Sequence, residues 1–459
     1  MKKVDVLVIG AGTAGVNAAR QALRMGAEKV LVVHKPGFLN TCVQAGCMPS
    51  KSMLAGAEHG LSFARVLNDR DEHIDRLMRA LTTGLATEKF EIVEGDASFL
   101  NPHSVRITTE SDSIECQAKT IVIATGSRPF LPPIHGIDSL GKLLLTSDDV
   151  VAKSGQCHTI PRRLLVLGGG AIGLELATVF HRVGSEILLI KRGRLLSSFD
   201  PEFGEERLRA ANAEKGFSIR IGAAVRDLRR EGDEVVALLE HDGKSHEKRF
   251  DAFLAATGRV PNTDSLALEK AGVMSDQGRV THDEYLRTSI KHIFIAGDVT
   301  DHDQILHYAA DMGKVAGHNA VVTKNLRRVD YARLKLVISF DACPSAIIGL
   351  SEQEARERGI DVLTATRRFD SIGRGILERM RFGMWKLVAD RNSGKILGSQ
   401  ILGPKNADDL IQVLSPILYN GNTYGDMLRM TWYHPTLAEI LKSLANDLCG
   451  QDNTFCPGM

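Results

Sequence analysis

The chain has 459 residues, and its 57 Lys+Arg against 56 Asp+Glu leave a formal net charge of +1, which excludes a globally basic nucleic-acid binder. Seven cysteines in this length are too sparse and too odd in number for a secreted disulfide framework, and no apolar run is long enough to cross a bilayer. Met1-Lys2-Lys3 passes straight into a strand, so no signal peptide is read there, and the expectation is a cytoplasmic protein of about three domains without nucleic-acid or membrane partners.

Val4–Ile9 reads as a buried parallel strand. Gly10-Ala11-Gly12-Thr13-Ala14-Gly15 follows at once, a helix runs to about Met25, and Lys29–Val33 is a second strand. This strand–glycine turn–helix–strand unit places backbone N–H groups and a helix N-terminus against a pyrophosphate, with Gly10, Gly12 and Gly15 at the contact. The end of the second strand would normally offer an acid to the adenosine ribose. Here it carries His34 and then Lys35: either a neutral His34 imidazole bonds the ribose, or a neighbour takes over.

The run Thr41-Cys42-Val43-Gln44-Ala45-Gly46-Cys47-Met48-Pro49-Ser50-Lys51 comes next. A reactive dithiol beside a bound redox cofactor can accept two electrons and pass them on by thiol–disulfide exchange. A metal site would need further Cys or His nearby, and none is there, so no metal is expected.

The nucleotide unit then recurs. Leu164–Leu167 leads into Gly168-Gly169-Gly170-Ala171-Ile172-Gly173, a helix to about Val183 and a strand over Glu186–Ile190. Gly168, Gly170 and Gly173 repeat the first set, and two dinucleotide sites imply two cofactors that exchange electrons, a flavin and a nicotinamide being the natural pair. Lys191 and Arg192, with Arg194 close behind, end the second strand of this unit. Positive charge there suits a 2′-phosphate and favours NADP over NAD.

From about Leu336 to Leu448 the pattern reads as a separate domain. Trp385–Asp390 and Lys395–Ile401 flank the turn Arg391-Asn392-Ser393-Gly394, a hairpin signal, and two helices follow. The last is predicted over Thr436–Leu448 with Pro435 at its start. Leu437, Ile440, Leu441, Leu444 and Leu448 form its apolar stripe, leaving Glu439 off the buried line.

These markers, together with Ala124-Thr125-Gly126-Ser127-Arg128-Pro129, Ala256-Thr257-Gly258-Arg259-Val260-Pro261-Asn262, Ala296-Gly297-Asp298-Val299 and His434-Pro435-Thr436 with Glu439, occur in the order found in the FAD-dependent pyridine nucleotide–disulfide oxidoreductases. The chain resembles that family over nearly its whole length, and is most similar to its dihydrolipoamide dehydrogenases. The resemblance implies an α/β fold with two Rossmann-like domains and a C-terminal α+β dimerisation domain. The expected limits are 1–150 for FAD, 151–265 for NAD(P), 266–335 for a segment completing the FAD domain and 336–459 for the interface.

It also implies roles. Cys42 would be the interchange thiol open to substrate, and Cys47 the thiolate against the flavin. Lys51 would sit by the reactive flavin nitrogen, paired with Glu175, and Asp298 would bind the ribityl chain. Arg259 would lie where the nicotinamide domain meets the core, and Thr41, Thr125, Gly126 and Gly258 would complete the cofactor contacts. His434, oriented by Glu439, would be the acid–base acting at the dithiol of a second copy, which makes a homodimer obligatory. A histidine bound to a carboxylate through its other nitrogen has the tautomer and proton affinity such a step needs.

The substrate stays open between a lipoyl-bearing protein and a small disulfide, because the stretch from Lys51 to Gly95 is shorter than in typical relatives. Met48-Pro49-Ser50-Lys51 is similar to both the lipoamide and mercuric branches. His434 disfavours the mercuric one, and the basic Lys191, Arg192 and Arg194 favour an NADPH-driven reductase. A flavin-binding redox sensor without turnover is the reading from another class, favoured only by His34. Cys116, Cys157 and Cys343 carry no motif and read as structural. Cys449 and Cys456 in the tail read as a mobile thiol pair or as incidental residues.

Overall fold

The computed structural model describes residues 1–300, 302–331 and 335–457. Its first part runs β1 (Lys2–Ile9), α1 (Thr13–Arg24), β2 (Val30–His34), α2 (Thr41–Gln44), α3 (Cys47–Glu58), α4 (Phe63–Leu85), β3 (Glu91–Glu94), β4 (Asp96–Asn101), β5 (Ser104–Thr108) and β6 (Ser113–Ile123). These strands form a sheet in the order β3-β2-β1-β6-β5-β4, with the later strand Ile293–Ile295 added to β6. The β3, β2, β1, β6 part is parallel, and β4 and β5 return antiparallel. Val6 and Val8 fill one face of β1 and Leu7 and Ile9 the other, all of them buried. Apolar cover on both faces is what a continuous Val/Ile/Leu strand requires.

β7 (Ser127–Pro129), β8 (Leu144–Thr146), α5 (Ser147–Val151), β9 (Arg163–Leu167), α6 (Ala171–Arg182), β10 (Glu186–Lys191), α7 (Pro201–Asn212) and β11 (Phe217–Ile221) follow. Next come β12 (Ala224–Glu231), β13 (Glu234–His241), β14 (Lys244–Phe250), β15 (Ala252–Ala255) and β16 (Arg259–Pro261). The second sheet is parallel throughout, in the order β11-β10-β9-β15-β8, with a three-stranded antiparallel meander, β12-β13-β14, inserted before β15. β8 lies ahead of residue 151, where the sequence sets the change of domain, yet its hydrogen bonds go to β15. The pairing β16–β7 carries the chain back toward the first sheet.

The C-terminal part is a five-stranded antiparallel sheet, ordered Leu336–Ser339, Ser345–Gly349, Ile396–Leu402, Met384–Asp390, Val362–Arg368. The predicted hairpin is its centre. After it the first expected helix is in pieces, Ala407–Gln412, Leu414–Tyr419 and Tyr424–Arg429. The final helix covers Ile440–Gln451 rather than Thr436–Leu448. The reason lies in the preceding turn. The Thr436 hydroxyl donates to Tyr433 O at 2.9 Å and accepts the Glu439 N–H at 3.3 Å, so a side chain takes the bonds of the first predicted turn, and Pro435 stands outside the helix after a cis His434–Pro435 bond. The apolar stripe is as read, with Ile440, Leu441, Leu444 and Leu448 fully buried.

Through residue 457 the tail is packed against the C-terminal domain rather than being an incidental chain end. Cys449 and Cys456 are joined in a disulfide, Phe455 meets Tyr424 edge-to-face at 6.0 Å, and the Tyr424 hydroxyl donates to Asp452 O at 3.0 Å. Cys116, Cys157 and Cys343 are buried free thiols.

Candidate active site

Both glycine turns are built alike. Gly10 at φ +115° and Gly168 at φ +121° use backbone that side chains rarely adopt, and a Cβ on either would lie 2.1 Å from the carbonyl oxygen of Ala124 or Ala256 on the neighbouring strand. The two turns therefore press against equivalent edges of the two parallel sheets. At Gly12 and Gly170, the residues before the two helices, a Cβ would meet nothing within 4 Å, so both helix starts leave room for a group such as a pyrophosphate.

A cavity of about 520 Å³ extends from the first turn and is lined by Gly12, Thr41, Cys42, Cys47, Lys51, Gly126, Glu175, Arg259 and Asp298 among others. Its polar groups suit a flavin. Between the lining residues Ala124 and Gly126, Thr125 Oγ1 is buried with no hydrogen-bond partner among the described residues. Asp298 is held by one long bond from the Ser127 hydroxyl at 3.4 Å, and burial raises its pKa against the opposing pull of Arg259 and Ser127. An under-bonded carboxylate at the cavity wall is a site for hydroxyl donors such as a ribityl chain. Arg259 donates to Ser127 Oγ at 2.9 Å and Ser127 O at 2.9 Å, and reaches Asp148 at 3.2 Å, so it ties β7, β16 and α5 together beside this wall.

The dithiol sits where α2 gives way to α3. Asn40 caps α2 by accepting the Val43 N–H at 3.2 Å, and Gln44 Oε1 accepts the Leu39 and Asn40 N–H groups at 2.7 and 2.9 Å. A Cβ on Gly46 would lie 2.8 Å from Thr41 O and 3.2 Å from Cys42 Cα. That close approach folds the chain back so that the Cys42 thiol meets Cys47, the first residue of α3. The hydrogen bond from Cys42 is the largest influence on Cys47, and with the charge of Lys51 it lowers the Cys47 pKa to about 7 against burial and the opposing Glu175 charge. Cys42 is pushed the other way, by that same bond, by burial and by the charge on Cys47. One sulfur is thus about half thiolate near neutral pH while the other stays protonated.

Lys51, one turn along α3, pairs with Glu175 of α6 at 2.7 Å. Its ammonium also lies over the Phe340 ring, 4.7 Å from the centroid, and the Phe340 N–H donates to the other Glu175 oxygen at 3.1 Å.

His434 and Glu439 are joined, Nδ1 to Oε2 at 2.9 Å, which leaves Nε2 outward. They do not line the cavity; the His434 side chain is 76% exposed on the C-terminal domain. His34 ends β2 with Nδ1 bonded to Lys35 O at 3.0 Å, in register with Glu94 of β3, whose carboxylate accepts the Gly37 N–H at 2.7 Å. Lys191 at the end of β10 and Arg192 just after it make no ion pair among the described residues, whereas the Arg194 guanidinium is committed to the carbonyls of Ser197 and Phe199 at 3.0 and 2.7 Å. Of the basic trio, Arg194 is thus held by backbone carbonyls. Phe340 and Ser127 were not singled out in the sequence. Phe340 gives no sequence signal, while Asn40, three residues before Val43, could have been read as a cap.

Comparison with known proteins places the whole chain in one family. A family model described as pyridine nucleotide-disulphide oxidoreductase matches residues 4–313, and that family's dimerisation-domain model matches residues 338–445. A mercuric reductase of Streptomyces lividans is 34% identical over 466 residues, covering 96% of this chain and 95% of its own. A dihydrolipoyl dehydrogenase of Geobacillus stearothermophilus is 31% identical over 475 residues, covering 98% and 97%. Among solved structures, the Cu(II) complex of the HOCl-induced flavoprotein disulfide reductase RclA from Escherichia coli superposes with a TM-score of 0.86 at 25% identity, covering 97% of this chain and 99% of that one.

Proposed function

Since the chain belongs to the pyridine nucleotide-disulphide oxidoreductase family, we propose that it moves electron pairs between NAD(P)H and an external disulfide through Cys42 and Cys47, in the manner of a dihydrolipoamide dehydrogenase. The dimerisation domain supports a homodimer, in which His434 and Glu439 of one copy serve the dithiol of the other.

FAD, when bound, supplies the two-electron link between the nicotinamide and the dithiol. The chain's own residues do the rest. In the reductive direction Cys42, deprotonated by His434, attacks one substrate sulfur. The substrate's S–S bond breaks, a mixed disulfide forms on Cys42, and the leaving thiolate takes the proton from His434. The Cys47 thiolate then attacks Cys42, releasing the second substrate thiolate and closing the Cys42–Cys47 disulfide. Cys42 needs the base because its neighbours raise its pKa. Cys47 needs none, being lowered by the Cys42 hydrogen bond and by Lys51. Asp298, Gly12 and Thr125 would hold the flavin, and Gly170 would face the nicotinamide cofactor.

The observation that carries the lipoamide-type reading is the His434–Glu439 bond. It fixes an imidazole tautomer for proton transfer to a thiol, a need that a metal ion as electron acceptor does not create. Steady-state turnover with dihydrolipoamide, a lipoyl protein and oxidised glutathione tests it. Activity on a lipoyl dithiol is expected, and activity on Hg(II) alone would refute it. A second reading, an NADPH-dependent disulfide reductase, is favoured by Lys191 at the end of β10 and Arg192 just after it, neither in an ion pair among the described residues. Replacing them together by Glu and Ala should weaken NADPH far more than NADH, and an unchanged preference would remove this reading.

A further inference from the structure

Lys51 reaches the dithiol on a flexible four-carbon stem, and Glu175 holds its ammonium from one side only. Phe340 closes the other side. Its ring faces the ammonium and its N–H occupies the second Glu175 oxygen, so one residue touches both members of the pair. The loop that presents it is anchored from elsewhere. Arg207 of α7, with its side chain 1% exposed, donates through Nε to Asp341 Oδ1 at 3.1 Å. The same carboxylate accepts the Cys343 N–H at 2.7 Å and the Ser339 hydroxyl at 3.1 Å. The Ala342 N–H is bound at 3.1 Å to Thr178 Oγ1 of α6.

Behind this loop lies a second cavity, of about 290 Å³, which contains the side chains of Glu58, Arg182, Asp341 and Lys405. Lys51 and Phe340 are the two residues that line both cavities. The ring is therefore the partition between the dithiol side and a rear space into which the flexible Lys51 stem could swing, and whose carboxylates are already paired, Asp341 with Arg207 and Glu58 with Lys405 and Arg182.

We propose that Phe340 is a positioning residue for Lys51: clasped by the ring and by Glu175, and set by the buried Arg207–Asp341 pair, the ammonium is kept at the dithiol and out of the rear cavity. This rests on the reading of Cys47 and Lys51 as parts of the redox centre. A cation–π face beside an ion pair restrains the ammonium where a carboxylate alone leaves it free to swing. The groups facing Cys47 are Cys42 of α2, Lys51 of α3 and Glu175 of α6, so displacing Lys51 leaves the Glu175 charge opposing the thiolate uncompensated.

The test uses the flavin-loaded protein, following iodoacetamide alkylation of Cys47 by mass spectrometry as a function of pH. Phe340→Leu removes the ring but keeps apolar bulk, Phe340→Ala also joins the cavities, Phe340→Tyr keeps the π face, and Lys51→Met is the control. Phe340→Leu and Phe340→Ala should move the alkylation midpoint upward, in that order, with a rate drop of about tenfold per pH unit on the acid side. Phe340→Tyr should restore the wild-type midpoint. A merely structural loss would lower yield or melting temperature without moving it. If Lys51→Met shifts the midpoint and the Leu and Ala variants do not, Phe340 has no positioning role. If Lys51→Met leaves it unmoved, the placement of Lys51 at the dithiol is itself wrong.

Discussion

Removing the Cys42 thiol should raise the Cys47 pKa. The hydrogen bond from Cys42 is the largest cause of the low Cys47 value of about 7, with the Lys51 charge helping and burial opposing. At pH 7 a thiol with that pKa is about half ionised, against roughly 3% for an ordinary cysteine near 8.5. In Cys42→Ala the Lys51 charge and a backbone hydrogen bond remain to hold the charge, so the midpoint should climb by about one unit and alkylation at pH 6 should fall about tenfold. The other free thiols do not interfere. Burial pushes Cys116 and Cys157 up to about 11 and Cys343 up to about 12, and Cys449 and Cys456 are bonded to each other. The midpoint is the quantity to read rather than the plateau, because intrinsic nucleophilicity changes together with pKa. A Cys42→Ala midpoint within about 0.2 unit of wild type would refute the hydrogen bond as the cause, at a precision well inside the tenfold-per-unit scale used here.

Glu439→Gln keeps the bond to His434 but removes the charge that stabilises an imidazolium. Disulfide turnover should fall by about 10²-fold or more while flavin reduction by the nicotinamide in stopped flow is unchanged; equal loss of both steps would contradict the assignment. Lys386, with its side chain 4% exposed, holds Asp200 at 3.0 Å, Glu202 at 2.6 Å and Glu352 at 2.7 Å where α7 docks on the C-terminal sheet. Lys386→Met takes the counter-charge from the buried Asp200, while Glu352 keeps Arg356, and should cost about 3–5 kcal/mol in denaturant unfolding, so a loss below about 1 kcal/mol, the scale of an exposed pair, would mean the cluster is solvated. Opening the tail disulfide by Cys449→Ser releases a loop of sequence separation 7. That should cost about 2.5 kcal/mol on chain-entropy grounds and loosen Phe455 from Tyr424, with near-wild-type turnover; a large fall in turnover at full flavin content would instead give the tail a part in the chemistry.

The sequence by itself determined whatever depends on local geometry. The glycine turns are legible because Gly10 and Gly168 must take a positive φ against a neighbouring strand. The dithiol is legible because one turn and one close glycine suffice to bring Cys42 to Cys47, and the stripe of the last helix because period 3.6 is a local property. The start of that helix was misplaced because a side-chain hydroxyl, Thr436, outbid the backbone for the first bonds, a competition that periodicity does not register. Only the tertiary structure decided what long-range packing controls. It drew Arg194 away to two carbonyls, paired β8 with the second sheet and sealed the tail with a disulfide. It also brought Phe340, Asp341 and Arg207 to Lys51 across three separate segments of chain. A contact between residues more than a hundred positions apart leaves no periodic or spacing signal, because its cause is the burial of whole elements against one another rather than any property of the local chain.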